Sequence, residues 1–228
     1  EASTYTGKSA GFTTFLHEFL HSLGHKHPFD PIDASDSSEG NANIYQNEYE
    51  QYPYTIMSYT PLRDKETYNV KYEGINLKSG GQYYPTTPML YDIIALQETY
   101  GAAKSSAPGD SNYTYTSSAP PFETIFDTGG TDTLNLSSIA GGCELDLSGS
   151  KISTIGNDFL IPFKTETGQP TTYGKAQGAP LGIVPGTEIE KVLLPDGAST
   201  VTSGSKTTFI VGKANAAITA NIKSTEIG

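Results

Sequence analysis

The sequence predicts an α+β protein, in which a mixed helical region is followed by an all-β region with the boundary near Lys104. In residues 1–104, two segments carry apolar side chains at three- and four-residue steps, the period of a helix that buries one face. In residues 105–228, short apolar runs alternate with Gly, Ser, Asp and Pro, a pattern typical of short strands joined by turns. We therefore predict two domains with these bounds.

The first helix is predicted from Gly11 to Leu23, because apolar residues recur there at helical spacing: Phe12, Phe15, Leu16, Phe19, Leu20 and Leu23. This spacing puts Thr13 and Thr14 on the polar side. Gly24 is a natural stop, because glycine adopts the left-handed conformation that often ends a helix.

The second helix is predicted within the stretch TTPMLYDIIALQETYG. Thr87 is a suitable N-cap, Pro88 suits a first turn, and Gly101 follows the last apolar position. In the all-β region, strands are predicted in five apolar runs: TLNLSS, CELDLSG, EIEKVLL, TTFIVG and AAITANI.

Composition limits the partners of the chain. The formal net charge is −11, which argues against a nucleic-acid partner. No apolar run approaches the roughly 18 residues of a membrane span, so no membrane partner is expected. The excess of carboxylates makes calcium a candidate ligand, because hard cations prefer oxygen. Cys143 is the single cysteine and is predicted to be a small buried side chain.

All four histidines lie in the stretch HEFLHSLGHKHP. His17 and His21 are four apart on the first helix, so both project from one face and can share a metal ion. Gly24 lets the chain leave the helix sharply, which brings His27 back toward the same point. The complete spacing H-E-x-x-H-x-x-G-x-x-H predicts a zinc site with these three ligands. His25 occupies a variable position and is not predicted to be a ligand.

Glu18 lies beside the metal-facing side of the helix and is the candidate general base. An H-E-x-x-H match alone is common by chance on amphipathic helices, but the added glycine and third histidine remove most of that ambiguity. Three nitrogen ligands leave a fourth position for water, as in catalytic zinc sites. Zinc lowers the pKa of its water to about 7, so Glu18 can accept the proton.

The zinc motif, followed by YTIMSYT, resembles the metzincin metallopeptidases. Pro28, the stretch MLYDIIALQETYGA and the stretch IFDTGGTDTLNLS are similar to the serralysin branch. The resemblance implies the C-terminal part of a metzincin catalytic domain, followed by a β-roll or sandwich-like calcium-binding domain. It also implies that Met57 forms an apolar base under the histidines. Tyr59 would ligate zinc at rest and swing to stabilise the oxyanion.

The implied function is that of a secreted, extracellular zinc-dependent endopeptidase, which hydrolyses peptide bonds in protein or peptide substrates through a zinc-bound water activated by Glu18. The alternative is a calcium-stabilised binding or adhesion module, or a processed fragment with an inactive protease site. The intact set of zinc-site residues favours the endopeptidase hypothesis.

Calcium ligands follow from the same resemblance. The family turn D-x-G-G-x-D is matched by Asp127, Gly129, Gly130 and Asp132. The neighbouring loop APGDS would contribute the carbonyls of Ala107, Gly109 and Ser111. Glu188 and Glu190, two apart on a predicted strand and so on one face, would complete the site of a second ion.

Two departures from the family pattern are visible. The tandem G-G-x-G-x-D-x-U-x repeats are absent, so we expect stacked strands without a column of ions. Sixteen residues precede His17, where the family has a twisted sheet whose edge strand pairs with substrate. We expect an associated N-terminal polypeptide of the same precursor to cover the first helix.

Overall fold

The computed structural model describes residues 10–30, 49–59, 75–76, 84–157, 159–165, 172–176, 178–204, 207, 209–212 and 218–221. The chain forms two compact units. The first consists of Glu1–Asp92 and Phe159–Ala176, and the second of Ile93–Asp158 and Gln177–Gly228. Helices and strands both occur, and strands predominate, in agreement with the predicted α+β class. The domain boundary near Lys104 stays a prediction.

The first helix, α1, spans Ala10–Ser22 and confirms the predicted helix to within one residue at each end. Gly24 follows it with a φ of 86°, as the stop signal requires. The position of Thr13 on the polar side is wrong: Thr13 is buried, and its hydroxyl donates to the Pro85 carbonyl at 3.2 Å. In contrast, Phe15 and Phe19 are exposed over 56% and 52% of their surface.

The second helix, α2, spans Leu90–Tyr100. The N-cap predicted at Thr87 is wrong. Instead the Asp92 carboxylate accepts the N–H of Met89 at 2.8 Å, which satisfies a donor at the helix start. The predicted stop is confirmed, because Gly101 has a φ of 84° and donates its N–H to the Gln97 carbonyl at 2.8 Å. Neither helix in the described residues has the length and apolar character needed to cross a membrane.

The strands of the first unit form a three-stranded antiparallel sheet with the order β1-β7-β8: β1 Ile75–Asn76, β7 Phe159–Thr165 and β8 Thr172–Ala176. The second unit holds two larger sheets. The four-stranded sheet has the order β12-β10-β4-β2: β2 Asn112–Thr116, β4 Thr133–Ser138, β10 Lys191–Leu193 and β12 Phe209–Val211. The six-stranded sheet has the order β13-β11-β5-β6-β9-β3: β3 Glu123–Ile125, β5 Cys143–Asp146, β6 Ser153–Ile155, β9 Ala179–Ile183, β11 Ser199–Thr202 and β13 Ile218–Asn221.

The chain of the second unit alternates between its two sheets, from β4 to β5, from β10 to β11 and from β12 to β13. Within each sheet these strands pair in parallel, so successive coils stack on one another. Apolar side chains stack in register and are buried, as in the pairs Val192 with Leu134 and Val201 with Leu145. The five strands predicted from apolar runs are all confirmed, and Cys143 is buried as predicted.

Candidate metal centre

Three histidines converge at one point of the first unit. His17 and His21 project from α1, and the turn after Gly24 carries His27 back toward them. The Nε2 atom of His27 lies 3.2 Å from Nε2 of His17 and 3.1 Å from Nε2 of His21. The three candidate ligand atoms all lie within 4.8 Å of one another. Three imidazole nitrogens in this arrangement fit a tetrahedral zinc ion with one position left open.

The second nitrogen of each ring is anchored elsewhere. Nδ1 of His17 donates to the Ile56 carbonyl at 2.7 Å, and Nδ1 of His21 donates to the His25 carbonyl at 2.8 Å. Because a carbonyl only accepts, Nδ1 must carry the proton in both rings. The lone pair is therefore on Nε2, the atom that faces the cluster. The side chain of His25 is not part of this cluster.

His27 lies outside the helix and has a different anchor. Its Nδ1 lies 3.1 Å from Oδ2 of Asp30, and its backbone N–H donates to the same oxygen at 2.9 Å. The ring of Phe29 stacks on the His27 ring, with centroids 4.7 Å apart and planes at 6°. Desolvation raises the pKa of Asp30, but the hydrogen bonds from His27 and the charges of His27 and His21 together lower it by more, so the pKa lies below its usual value. Sequence reasoning missed both residues; an acid three positions after the last histidine was the available signal.

Tyr59 reaches the same cluster from the segment that the sequence singled out. Its hydroxyl lies 2.7 Å from Nε2 of His27, and its ring stacks on that of His17 at 5.5 Å. Met57 is buried, with 2% of its surface exposed. Glu18 is exposed and is not among the clustered ligand atoms. The structure thus brings together the histidines and Tyr59, and leaves the carboxylate of Glu18 open to water.

A buried carboxylate supports the turn behind His17. Asp92 is 2% exposed and accepts three hydrogen bonds. The donors are the Thr55 hydroxyl at 2.5 Å, the Ile56 N–H at 2.9 Å and the Met89 N–H at the start of α2. Desolvation raises the pKa of Asp92, and the three donors oppose this shift. Asp92 thus holds the backbone N–H of Ile56, and the carbonyl of the same residue accepts the hydrogen bond that orients the His17 ring.

The predicted calcium turn lies in the second unit. Asp127 and Asp132 are both fully buried. Gly130 has a φ of 121°, and a Cβ there would lie 2.5 Å from the Gly109 carbonyl oxygen, so only glycine fits. The adjoining loop is tied to this turn by the N–H of Ser111, which donates to Oδ1 of Asp132 at 2.8 Å.

Most acidic oxygens of this turn already have partners within the chain. Asp127 accepts the Tyr113 hydroxyl at 2.7 Å and the Gly129 N–H at 3.2 Å. Glu190 accepts the N–H of Asp132 at 2.7 Å. Among the described residues, Oδ2 of Asp132 is a buried oxygen without a hydrogen-bond partner. Desolvation and the charges of Asp127 and Glu190 raise the pKa of Asp132, although the N–H of Ser111 opposes the shift.

The remaining predicted calcium residues lie around this turn. The carbonyl of Ser111 accepts the Thr133 N–H at 2.9 Å, and Ala107 has a φ of 46°. The placement of Glu188 and Glu190 on a strand is wrong, because both precede β10 in an irregular segment. In the described part of the chain, the histidine cluster is the one group of three potential ligands that converges. The calcium ligands therefore stay a prediction.

Comparisons with known proteins follow the same direction. No family model matches the chain. The chain is 30% identical over 161 residues to Metalloprotease AprA of Pseudomonas entomophila. This alignment covers 64% of the chain and 31% of that protein. It is 30% identical over 158 residues to Serralysin C of Dickeya chrysanthemi and 29% identical over 158 residues to Serralysin of Photorhabdus luminescens. The matched region spans 64% of the chain but about a third of the length of these relatives.

Proposed function

We propose that this chain, a serralysin-like metzincin, forms part of a secreted zinc-dependent endopeptidase that hydrolyses peptide bonds in proteins or peptides. The observation that carries the proposal is the convergence of three imidazole Nε2 atoms whose Nδ1 atoms are already engaged. The relatives are named as a metalloprotease and as serralysins, which supports the same class of reaction.

The histidine cluster supports zinc as the metal. His17, His21 and His27 supply nitrogen donors. Zinc binds such donors well, whereas calcium and magnesium prefer oxygen. The hydroxyl of Tyr59, 2.7 Å from Nε2 of His27, is close enough to complete the coordination. When bound, zinc would polarise the scissile carbonyl and lower the pKa of a water molecule to about 7.

The side chains around the cluster have separate roles in this proposal. Glu18 would accept a proton from the attacking water and deliver it to the leaving amine, for which an exposed carboxylate next to His17 is suited. Tyr59 would donate its hydroxyl to the oxyanion of the tetrahedral intermediate. Its high exposure of 62% leaves space for the ring to move. Met57 would act through packing, as a buried base for the turn.

Calcium is the second cofactor of the proposal. The buried Oδ2 of Asp132 lacks a hydrogen-bond partner among the described residues, and an isolated buried carboxylate oxygen is costly. Asp127 and Glu190 lie close enough to raise its pKa through their charge. A calcium ion at Asp132 would remove both costs, with further oxygens from the turn and its adjoining loop: Ala107, Gly109, Ser111, Asp127, Gly129, Gly130, Glu188 and Glu190.

A second polypeptide is proposed as the cover for part of α1. The rings of Phe15 and Phe19 stack at 6.4 Å, and both are more than half exposed. Exposed aromatic pairs of this kind are typical of interaction surfaces. Native mass spectrometry of the purified protein would detect the companion chain; a single species at the mass of this chain alone would contradict this part of the proposal.

Metal analysis tests the ligand assignment. We expect one zinc per chain, strongly reduced retention in His27→Ala, and normal retention in His25→Ala, since the side chain of His25 lies outside the cluster. Equal loss in both variants would overturn the assignment. If wild type binds zinc normally but hydrolyses no peptide, the alternative of a binding module with an inactive site is favoured.

A further inference from the structure

Asp30 closes a short turn around the third histidine. Its carboxylate accepts the backbone N–H of His27 at 2.9 Å, while its own N–H donates to the His27 carbonyl at 3.1 Å. The same carboxylate faces Nδ1 of the ring at 3.1 Å. Backbone and ring of one residue are thus held by one side chain.

The other two histidines have no such side-chain anchor for Nδ1 in the described part of the chain. His17 and His21 use backbone carbonyls, of Ile56 and of His25 respectively. They also lie four residues apart on α1, so the helix itself limits where their rings can point. His27 lacks this support, because it comes after α1, which ends at Ser22.

Two contacts restrict the His27 ring in complementary ways. Phe29 stacks face to face on it at 4.7 Å, which fixes the plane of the ring. Asp30 lies at the ring edge and fixes which nitrogen points away from the cluster. With Nδ1 turned to the carboxylate, Nε2 must point toward His17 and His21.

We propose that Asp30 is a positioning residue of the metal centre, which selects the rotamer and tautomer of His27 and thereby raises the affinity for zinc. This inference rests on the proposed function, since it takes the three histidines as zinc ligands. A carboxylate that accepts the remote N–H of a ligating imidazole orients the ring and increases its basicity. Removing such a partner typically weakens metal binding by about 10- to 100-fold.

Zinc affinity of the full chain, measured by competition with a chromophoric chelator, tests the proposal. Asp30→Ala removes both the charge and the acceptor, and we expect zinc binding to weaken by about 10- to 100-fold. Asp30→Asn keeps an acceptor oxygen and loses the charge, so an intermediate loss is expected. Glu98→Gln is the matched control, because it removes one exposed carboxylate of α2 and should bind zinc as wild type does.

A spectroscopic readout separates positioning from general loosening of the fold. In the proton NMR spectrum of the zinc-loaded protein, the Nδ1 protons of the three histidines give separate imidazole N–H signals. The signal of His27 is identified by its absence in His27→Ala. We expect Asp30→Ala to shift or broaden the His27 signal and to leave those of His17 and His21 in place. Movement of all three signals together would overturn the positioning role.

The outcomes also distinguish this inference from the proposed function. If wild type and His27→Ala bind zinc equally, the ligand assignment fails. If His27→Ala weakens binding but Asp30→Ala and Asp30→Asn bind zinc within about twofold of wild type, the ligand assignment stands and the role of Asp30 is overturned.

Discussion

The histidine cluster of the first unit and the acidic turn of the second unit are both predicted metal sites, yet they are built differently. In the histidine cluster, the three candidate ligand atoms lie within 4.8 Å of one another. In the acidic turn, the two oxygens of Asp127 and Oε2 of Glu190 already accept hydrogen bonds from the chain. In contrast, Oδ2 of Asp132 accepts none within the part of the chain that the structure describes.

The difference follows from the chemistry of the two side chains. An imidazole has two nitrogens, so one can be anchored by the protein while the other stays free for a metal. A carboxylate uses the same two oxygens for anchoring and for metal binding. The fold can therefore anchor a histidine through one nitrogen and leave the other nitrogen open for the ion, whereas in a carboxylate site the oxygens that anchor the side chain are also the ones that face the ion.

The largest expected effect concerns the chemistry of the histidine cluster. Glu18→Gln should retain zinc and the fold but lower the rate of peptide hydrolysis by about 10²- to 10⁴-fold, because an amide cannot accept the proton of water. The comparison is made in a preparation in which the wild-type sequence is active, with zinc content measured in both proteins. Turnover near the wild-type value would remove Glu18 from the mechanism.

Tyr59→Phe should have a smaller effect on the same region. It removes one hydroxyl that would donate to the oxyanion, a loss of about 10²-fold or less in kcat. KM should change little, because the hydrogen bond would form mainly in the transition state. A rise in KM at constant kcat would instead indicate that Tyr59 acts in substrate binding.

Adding back each metal separately to metal-free protein tests the comparison itself. Calcium should bind the folded acidic turn and raise the free energy of unfolding by about 2–3 kcal/mol at 100 times the dissociation constant. The melting temperature should rise accordingly. Asp132→Asn should lose most of the calcium shift and keep the zinc shift. His27→Ala should show the reverse pattern.

Glu144→Gln is the matched control for this experiment, since it removes one exposed carboxylate of β5 and should respond to both metals as wild type does. If Asp132→Asn loses the zinc shift as well, the two sites are not independent. An unchanged calcium shift in Asp132→Asn would place calcium elsewhere.

The smallest effect contrasts Asp132 with a carboxylate that needs no cation. Asp146 is fully buried, and both its oxygens accept hydrogen bonds, from Ser148 and Ser150. Desolvation raises its pKa, but these donors outweigh it, so the pKa in the folded state lies below 3.8. Ionised Asp146 therefore contributes stability above pH of about 4, and this contribution is lost as the pH falls through the folded-state pKa.

Asp146→Asn should accordingly lower the free energy of unfolding at pH 7 by about 1–3 kcal/mol. The difference from wild type should shrink as the pH falls below about 4. Denaturant unfolding across this pH range provides the measurement. A difference that stays constant with pH would show that packing, and not the charge of Asp146, accounts for the loss.

Patterns confined to short segments were predictable from the sequence. The spacing over residues 17–27 singled out the three histidines that the structure brings together, because a helix followed by a glycine exit determines their geometry locally. Strands such as β4 were also predictable, because a short apolar run between turn residues lies within a few positions of the chain. Asp30 was also local, but a single acid after a histidine carries no distinctive pattern.

Contacts between distant segments were not predictable in this way. Thr13 is buried because it meets Pro85, which is 72 residues away. The carboxylate of Asp92 meets the peptide of Ile56 from 36 positions along the chain. A polar residue in an amphipathic pattern is normally exposed, and only the partner across the fold shows why these two are not.

The carboxylate of Asp92 has a consequence for the hydrogen exchange of two distant amides. Its Oδ2 atom accepts the amide hydrogens of both Ile56 and Met89. Any opening that releases this oxygen exposes both amides to solvent at once, although they lie 33 positions apart. Under conditions in which hydrogen exchange reports opening equilibria, the two amides should therefore show the same protection and lose it together. The turn behind His17 and the start of α2 would then behave as one cooperative segment, which opens and closes as a unit.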